Sequence, residues 1–299
     1  MNHPGIAEAG SPLDESVNLA LTSLEEEAVP APCALYLLGT GLGALHSTLS
    51  GAGPISLGRL SGAPVTWRHA ELYWARIDGQ HVWFIEDAPA NLEVDEPLEG
   101  NAWDRAWPIW LAAAAGASLC VISAAGIGLR GGDVSPDNEI PVGSLAMIQD
   151  HINMSGSTPL VGLGETRLGP LFPDQSDLHH EGLRLQFMER AAQIGVQVKE
   201  GVVACTFGPT LNSPAEIAWL SRSGANVVAQ DLADPLIACA HAGLATVAIV
   251  AITDDGTRPM GMEELVRRCE ACAPALQDLM ASLAPDCVKV AADLAEDFV

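Results

Sequence analysis

Residues 34–44 have the sequence ALYLLGTGLGA, in which a short apolar run ends in a glycine-rich turn. The apolar run predicts a buried strand, and the residues after the turn predict the start of a helix. Backbone N–H groups in a turn between a strand and a helix can surround a bound anion. We therefore expect an anion or ribose site at residues 39–44, with a plain tight turn as the alternative.

The same turn also matches the GxGxxA pattern of dinucleotide-binding folds. Such a fold uses an acidic side chain about 20 residues further on to bind the ribose hydroxyls. No Asp or Glu occurs between Leu45 and Ala70, which argues against a nicotinamide cofactor.

Short apolar runs and helical patterns alternate along the rest of the chain. The further predicted strands are 82–85, 119–123, 202–205, 227–229 and 246–252. The predicted helices are 13–27, 103–115, 181–194, 214–223, 235–243, 262–283 and 288–298, of which the last two should cover the outside. This alternation predicts an α/β fold with helices around a mixed sheet. We expect a single domain over residues 12–299, preceded by a flexible tail at 1–11.

Composition excludes several classes of partner. The chain of 299 residues carries 14 basic and 38 acidic side chains, a net charge of -24 that repels nucleic acids and anionic membranes. No apolar run approaches the roughly 18 residues that span a bilayer, so we expect a cytoplasmic protein. Seven cysteines occur, mostly in apolar runs typical of buried, reduced thiols. The pair Cys269 and Cys272 has the spacing of a metal site but no second pair, so no metal is expected.

Several motifs follow the glycine-rich turn in a fixed order. They are SAAG at 123–126, DHIN at 150–153, FPDQSD at 172–177, FGP at 207–209, GANVV at 224–228, HAGL at 241–244 and ITD at 252–254. In order and spacing the set resembles the trimeric purine nucleoside and methylthioadenosine phosphorylases. The similarity covers about residues 30–260.

This resemblance implies an α/β domain with a twisted, partly barrel-like mixed sheet, a homotrimer, and a purine nucleoside as the small-molecule partner. It implies no metal or organic cofactor, with phosphate as a possible co-substrate. The implied base-binding residues are Ala125, Gly126, Leu211, Asn212 and Asp254. The implied ribose-binding residues are Gln230 and Met262, and the implied anion-binding residues are Thr40, His69 and Ala124.

The phosphate site departs from the family pattern. The family places an Arg and a His after the strand at 82–85, whereas residues 82–104 contain no basic side chain and several acidic ones between 86 and 96. Asp231 also replaces a hydroxyl residue of the family. A carboxylate there repels phosphate, so we expect weak phosphate binding unless Arg68 or Arg130 supplies the missing charge.

The base pocket departs as well. The family's 6-oxopurine readers have Glu and Asn where this chain has Asn212 and Asp254. A carboxylate accepts a hydrogen bond from a 6-amino group, which favours adenosine or methylthioadenosine. Met262 replaces a histidine near the sugar 5′ end and suits a methylthio group, with ordinary helix packing as the alternative.

Three functions remain open at this point. In a phosphorylase, Asp254, protonated or hydrogen-bonded, and Asn212 stabilise the departing base while an anion attacks the sugar. In a hydrolase, Asp231 or an acid of segment 86–96 positions water instead. In the third case the protein is catalytically silent and binds a nucleoside or completes a mixed oligomer, because fold resemblance alone does not settle function.

Overall fold

The computed structural model describes residues 10–39, 45–86, 100–258 and 260–296, except for the side chain of Met262. Most of the expected N-terminal tail, residues 1–9, therefore lies outside the described residues. Ser11 is described and caps the first helix, because its hydroxyl accepts a hydrogen bond from the backbone N–H of Asp14. Within the described ranges, no helix is long and apolar enough to cross a membrane.

In the described part of the chain, nine strands form one mixed sheet in the order β2-β3-β4-β1-β5-β8-β7-β6-β9. The strands are β1 (Ala34–Leu38), β2 (Ala52–Ser56), β3 (Glu71–Ile77), β4 (Gln80–Glu86), β5 (Leu119–Gly128), β6 (Leu145–Asn153), β7 (Val198–Thr206), β8 (Val227–Gln230) and β9 (Ala245–Asp254). Because β9 also pairs with β5, the last five strands close into a barrel. The predicted mixed, partly barrel-like sheet is confirmed.

Seven α-helices are described around this sheet. They are α1 (Pro12–Glu26), α2 (Leu45–Thr48), α3 (Trp107–Ala115), α4 (Glu181–Ile194), α5 (Pro214–Leu220), α6 (Ala233–Ala242) and α7 (Met262–Glu296). Helices α1, α3 and α6 pack together, whereas α4 and α7 pack on each other. Their apolar faces belong to two separate core clusters.

Buried tryptophans hold the cluster that contains α1 and α3. Trp107 donates its ring N–H to Ser16 at 2.9 Å, and Trp110 donates to Nδ1 of His241 at 2.9 Å. These bonds satisfy the polar atom of each ring while its apolar surface is removed from water.

The C-terminal helix differs from its prediction. Two helices separated near Pro285 were expected, but α7 runs through both Pro274 and Pro285 as one helix of 35 residues. Its apolar face, which includes Leu276 and Leu279, is buried against the second cluster, and this burial outweighs the tendency of proline to end a helix. The prediction that these residues only cover the outside was incomplete, because α7 also borders the candidate site.

Candidate active site

Strands β1 and β4 end side by side just before Gly39, the first residue of the glycine-rich turn, while β5 continues past them. In the register of β1 with β4, Leu38 lies opposite Glu86, and β1 pairs on its other side with β5. The backbone N–H of Gly39 donates to both the carbonyl oxygen and the hydroxyl of Ser123, each at 3.0 Å. A Cβ on residue 39 would lie 2.7 Å from that carbonyl oxygen, so this close approach requires glycine.

His69 and Arg68 reach the same edge of the sheet from a neighbouring strand. They directly precede β3, whose pairing with β4 places Leu72 opposite Ile85, near the end of β4. Arg68 Nε donates to His69 Nε2 at 3.0 Å, and both side chains are exposed. The cationic side chain of Arg68 therefore lies at the end of the sheet where β4 stops at Glu86.

A small pocket opens between this edge and α7. It is lined by Gly39, Ser123, Ala124, Ala125, Ala251, Cys269, Ala273 and Leu276. Two of the predicted residues, Ala124 and Ala125, thus face a cavity. Cys269 carries a thiol whose pKa is raised by burial, so the thiol stays protonated and contributes an apolar wall.

The predicted ribose residue Gln230 lies beside the predicted base segment. Its Nε2 donates to the carbonyl oxygen of Thr210 at 2.6 Å, and the N–H of Gly208 donates to Asp231 Oδ1 at 3.2 Å. Asp231 has the left-handed backbone value φ 57, which Asp tolerates better than most residues. Together these two side chains hold residues 208–210 against the end of β8.

Asn212 presents an unused hydrogen-bonding atom. Its Oδ1 is buried and has no hydrogen-bond partner among the described residues. A buried acceptor without a partner costs free energy, so this atom favours a ligand that donates a hydrogen bond to it. Its neighbour Leu211 is 50% exposed.

Asp254, at the end of β9, has a cationic partner that the sequence did not indicate. Arg268 Nη1 from α7 lies 3.5 Å from Asp254 Oδ1 and also donates to the carbonyl oxygen of Thr253 at 2.9 Å. The backbone N–H of Asp255 donates to the same Oδ1 at 2.8 Å. In the register of β9 with β5, Asp254 lies opposite Ile127, directly after the predicted base residue Gly126.

Arg105 is a second arginine that the motifs did not reveal. Its Nε lies 2.9 Å from Asp234 Oδ2, and its guanidinium stacks 4.9 Å from the ring centroid of Phe207. Burial raises the pKa of Asp234, although the nearby charge of Arg105 opposes that shift. Arg105 therefore connects the start of α6 to the first residue of the base segment.

Some predicted residues fall outside the description. Thr40, the acidic residues 87–97 and the side chain of Met262 lie outside the described residues. Gly126 is buried within β5, with β8 and β9 close on either side. Two arginines were considered as replacements for the missing cation. Arg68 lies beside His69 before β3, whereas Arg130 lies 3.6 Å from Asp255.

Comparison with known proteins gives a consistent result. A family model described as the phosphorylase superfamily matches residues 131–285, more than half of the chain. The purine nucleoside phosphorylase 1 of Geobacillus stearothermophilus is 27% identical over 263 residues, covering 85% of this chain and 91% of the relative. The purine nucleoside phosphorylase of Mycobacterium tuberculosis is 35% identical over 147 residues, covering 49% of this chain and 48% of the relative.

Among solved structures, isoform 2 of the Schistosoma mansoni purine nucleoside phosphorylase, in complex with cytosine and ribose-1-phosphate, superposes with a TM-score of 0.78. It shares 22% identity and covers 91% of this chain and 96% of its own, which supports the fold. The predicted resemblance to purine nucleoside phosphorylases is confirmed, and the chain belongs to the phosphorylase superfamily.

Proposed function

We propose that this protein cleaves the N-glycosidic bond of a purine nucleoside and transfers the sugar to phosphate. One observation carries the proposal. Gly39 after β1 and the backbone at Ala124 line the pocket beside α7, and the pair Arg68–His69 lies before β3, toward the same end of the sheet. A cationic side chain there suits a bound anion, and the N–H groups expected in the turn at 40–44 would add to it.

In this proposal Arg68 binds phosphate in place of the arginine that the family has and this chain lacks. With Nε bound to His69, its terminal nitrogens remain available to contact phosphate oxygens. Glu86 at the same edge opposes the phosphate charge, so we expect phosphate to bind weakly. This combination predicts a high phosphate KM rather than loss of phosphorolysis.

The departing purine is stabilised by Asn212 and Asp254 in this account. Bond cleavage moves negative charge into the base, so hydrogen bonds donated to the base in that state, such as one from the amide NH₂ of Asn212, lower the barrier. We assign Asp254 as the acceptor for a 6-amino group, with Arg268 at 3.5 Å offsetting part of its charge. We therefore propose adenosine or methylthioadenosine as substrate, and the methylthio contact is assigned to Met262 on sequence grounds alone.

A hydrolase is the second candidate, and the exposed carboxylates favour it. Glu86 lies beside the turn at the end of β4, and Asp231 exposes its side chain at the end of β8. Either can orient a water molecule where phosphate binds in the first reading.

The test is release of free base from adenosine, methylthioadenosine and inosine, measured with and without phosphate. We expect phosphate-dependent release that is faster for the two 6-aminopurine nucleosides, with phosphate KM raised about tenfold in Arg68→Ala by loss of a charge-assisted contact. Base release at the same rate with and without phosphate establishes the hydrolase. Nucleoside binding without turnover in either condition establishes a catalytically silent family member.

We also propose a homotrimer. Large apolar side chains such as Phe172 and Leu171 are 88% and 50% exposed in the single chain, which supports burial against another subunit. Light scattering on the purified protein tests this: a monomer mass contradicts it.

A further inference from the structure

Two histidines and an aspartate lie close together at the C-terminal half of β6. Asp150 and His151 belong to β6, and His179 belongs to the segment that leads into α4. One ligand atom from each of the three lies within 4.8 Å of the others. The pocket beside α7 is lined by other residues, so this cluster is separate from it.

The hydrogen bonds of His151 fix its protonation. Its Nε2 lies 3.0 Å from Oε1 of Gln175, an oxygen that only accepts, so Nε2 carries the proton. The other ring nitrogen, Nδ1, then presents a lone pair toward Nε2 of His179, 3.1 Å away. A histidine whose outer nitrogen donates to a carbonyl oxygen, with its inner nitrogen bare, is oriented as metal-binding histidines commonly are.

His179 has the second nitrogen that a metal requires. Its ring is only 8% exposed, and its Nδ1 has no hydrogen-bond partner among the described residues. In the metal-free protein its Nε2 donates to the bare Nδ1 of His151; because Nδ1 of His179 has no partner among the described residues, the proton can move to Nδ1 when an ion replaces this bond and leave Nε2 bare. Burial, with the neighbouring His151 second, lowers the pKa of His179 to about 4, and burial also lowers the pKa of His151. Both rings are therefore neutral near pH 7, the form that binds metals.

The separation of the two nitrogens suits a shared ion. With metal–nitrogen bonds of about 2.0–2.1 Å, nitrogens 3.1 Å apart subtend about 100° at the ion. That angle lies close to the values for adjacent ligands in tetrahedral and octahedral sites. Asp150 is exposed and supplies a carboxylate oxygen, while water completes the coordination.

We propose that Asp150, His151 and His179 bind a divalent first-row transition-metal ion of the zinc type. Imidazole nitrogens with one carboxylate select such ions over Ca²⁺ and Mg²⁺, which take oxygen ligands. The net charge of -24 further favours cations near the protein. The ion ties β6 to the segment before α4, so its effect is on stability, separately from nucleoside cleavage.

The test uses calorimetric titration of the full chain, stripped of metal, with Zn²⁺ alone, followed by thermal unfolding with and without Zn²⁺. We expect one equivalent bound by wild type and a higher Tm in its presence. His151→Asn and His179→Asn should lose this site, and Asp150→Asn should bind at least tenfold more weakly. Gln175→Ala should weaken binding about tenfold by releasing the ring of His151.

Controls separate this site from other effects. His46→Asn removes a half-buried histidine that stacks on Tyr73, away from the cluster, and should bind Zn²⁺ as wild type does. Asp150 and Gln175 are exposed, so their variants test the site even if His179→Asn, a change at a buried position, fails to fold. Absence of Zn²⁺ binding by wild type, or unchanged binding in Asp150→Asn and His151→Asn, overturns the proposal.

Discussion

Arg268 and Asp254 form an ion pair that joins α7 to the end of β9, with Nη1 3.5 Å from Oδ1. The pair places Asp254 at the end of β9, the strand that flanks Gly126. Arg268 shares its charge with Glu264, whose Oε1 lies 2.8 Å from the Arg268 Nε. In the proposed function the Asp254 carboxylate distinguishes 6-amino from 6-oxo purines. The two residues thus connect the C-terminal helix to base selection.

The first prediction concerns that selection. Asp254→Asn replaces one acceptor oxygen with an NH₂ donor, so it should shift the ratio of kcat/KM for adenosine over inosine toward inosine by about 10- to 100-fold. Steady-state assays with both nucleosides measure the ratio. Asp255→Asn is the matched control, because Asp255 pairs with Arg130 instead, and it should leave the ratio unchanged. An unaltered or larger adenosine preference in Asp254→Asn refutes the assignment.

The second prediction concerns the charge of Asp231. Asp231→Asn removes the charge but keeps an oxygen for the N–H of Gly208 and tolerates the left-handed backbone. Asp231 is exposed, so relief of repulsion at about 4 Å amounts to about 1 kcal/mol, and phosphate KM should fall about fivefold. Asp231→Ala also loses the bond to Gly208 and should raise the nucleoside KM. If phosphate activates the wild type and KM for phosphate rises in Asp231→Asn, the carboxylate assists phosphate rather than opposing it.

A third prediction tests the close approach at the turn. Gly39→Ala forces the backbone away from Ser123, because the new Cβ meets its carbonyl oxygen at 2.7 Å. We expect at least a tenfold loss in kcat/KM for phosphate, measured on protein whose circular dichroism is unchanged. Gly182→Ala, at an exposed position in the first turn of α4, is the matched control and should keep full activity. If Gly39→Ala keeps full activity, the turn is not part of the anion site.

The fourth prediction concerns Arg105 and Asp234. Arg105→Ala leaves a buried carboxylate without its partner, which costs 3–5 kcal/mol or so in fully buried pairs. Arg105 is 39% exposed, so we expect about 2 kcal/mol, measured by urea unfolding. The double variant with Asp234→Asn should recover much of this loss. If the loss of unfolding free energy in the double variant equals the sum of the two single losses, the two residues are not coupled.

The sequence predicted the elements whose apolar residues follow a regular helix or strand pattern. The observed bounds of α4, Glu181–Ile194, match the prediction, and so do those of β1, Ala34–Leu38. Strands β2 and β3 were missed because their exposed residues interrupt the apolar pattern: β2 contains Gly53 and Pro54, and β3 begins at the exposed Glu71. Tertiary packing, rather than local preference, makes these segments strands.

The candidate site was predictable only where motifs carry it. Ala124, Gln230 and the segment at 207–212 follow from motifs: Ala124 lines the pocket beside α7, and Gln230 donates a hydrogen bond to Thr210 of that segment. Arg268 and Arg105 have no motif, and each acts through a partner in another element, Asp254 or Asp234. Such pairs depend on how α7 and α6 pack, which local sequence patterns do not encode.

Transfer of the sugar to phosphate can be followed by phosphorus NMR of the reaction mixture. Adenosine or methylthioadenosine is incubated with the protein and inorganic phosphate, and base release is quantified in the same sample. We expect one new sugar phosphate ester for each base released. Base release with no new phosphorus signal contradicts this expectation and identifies water as the acceptor.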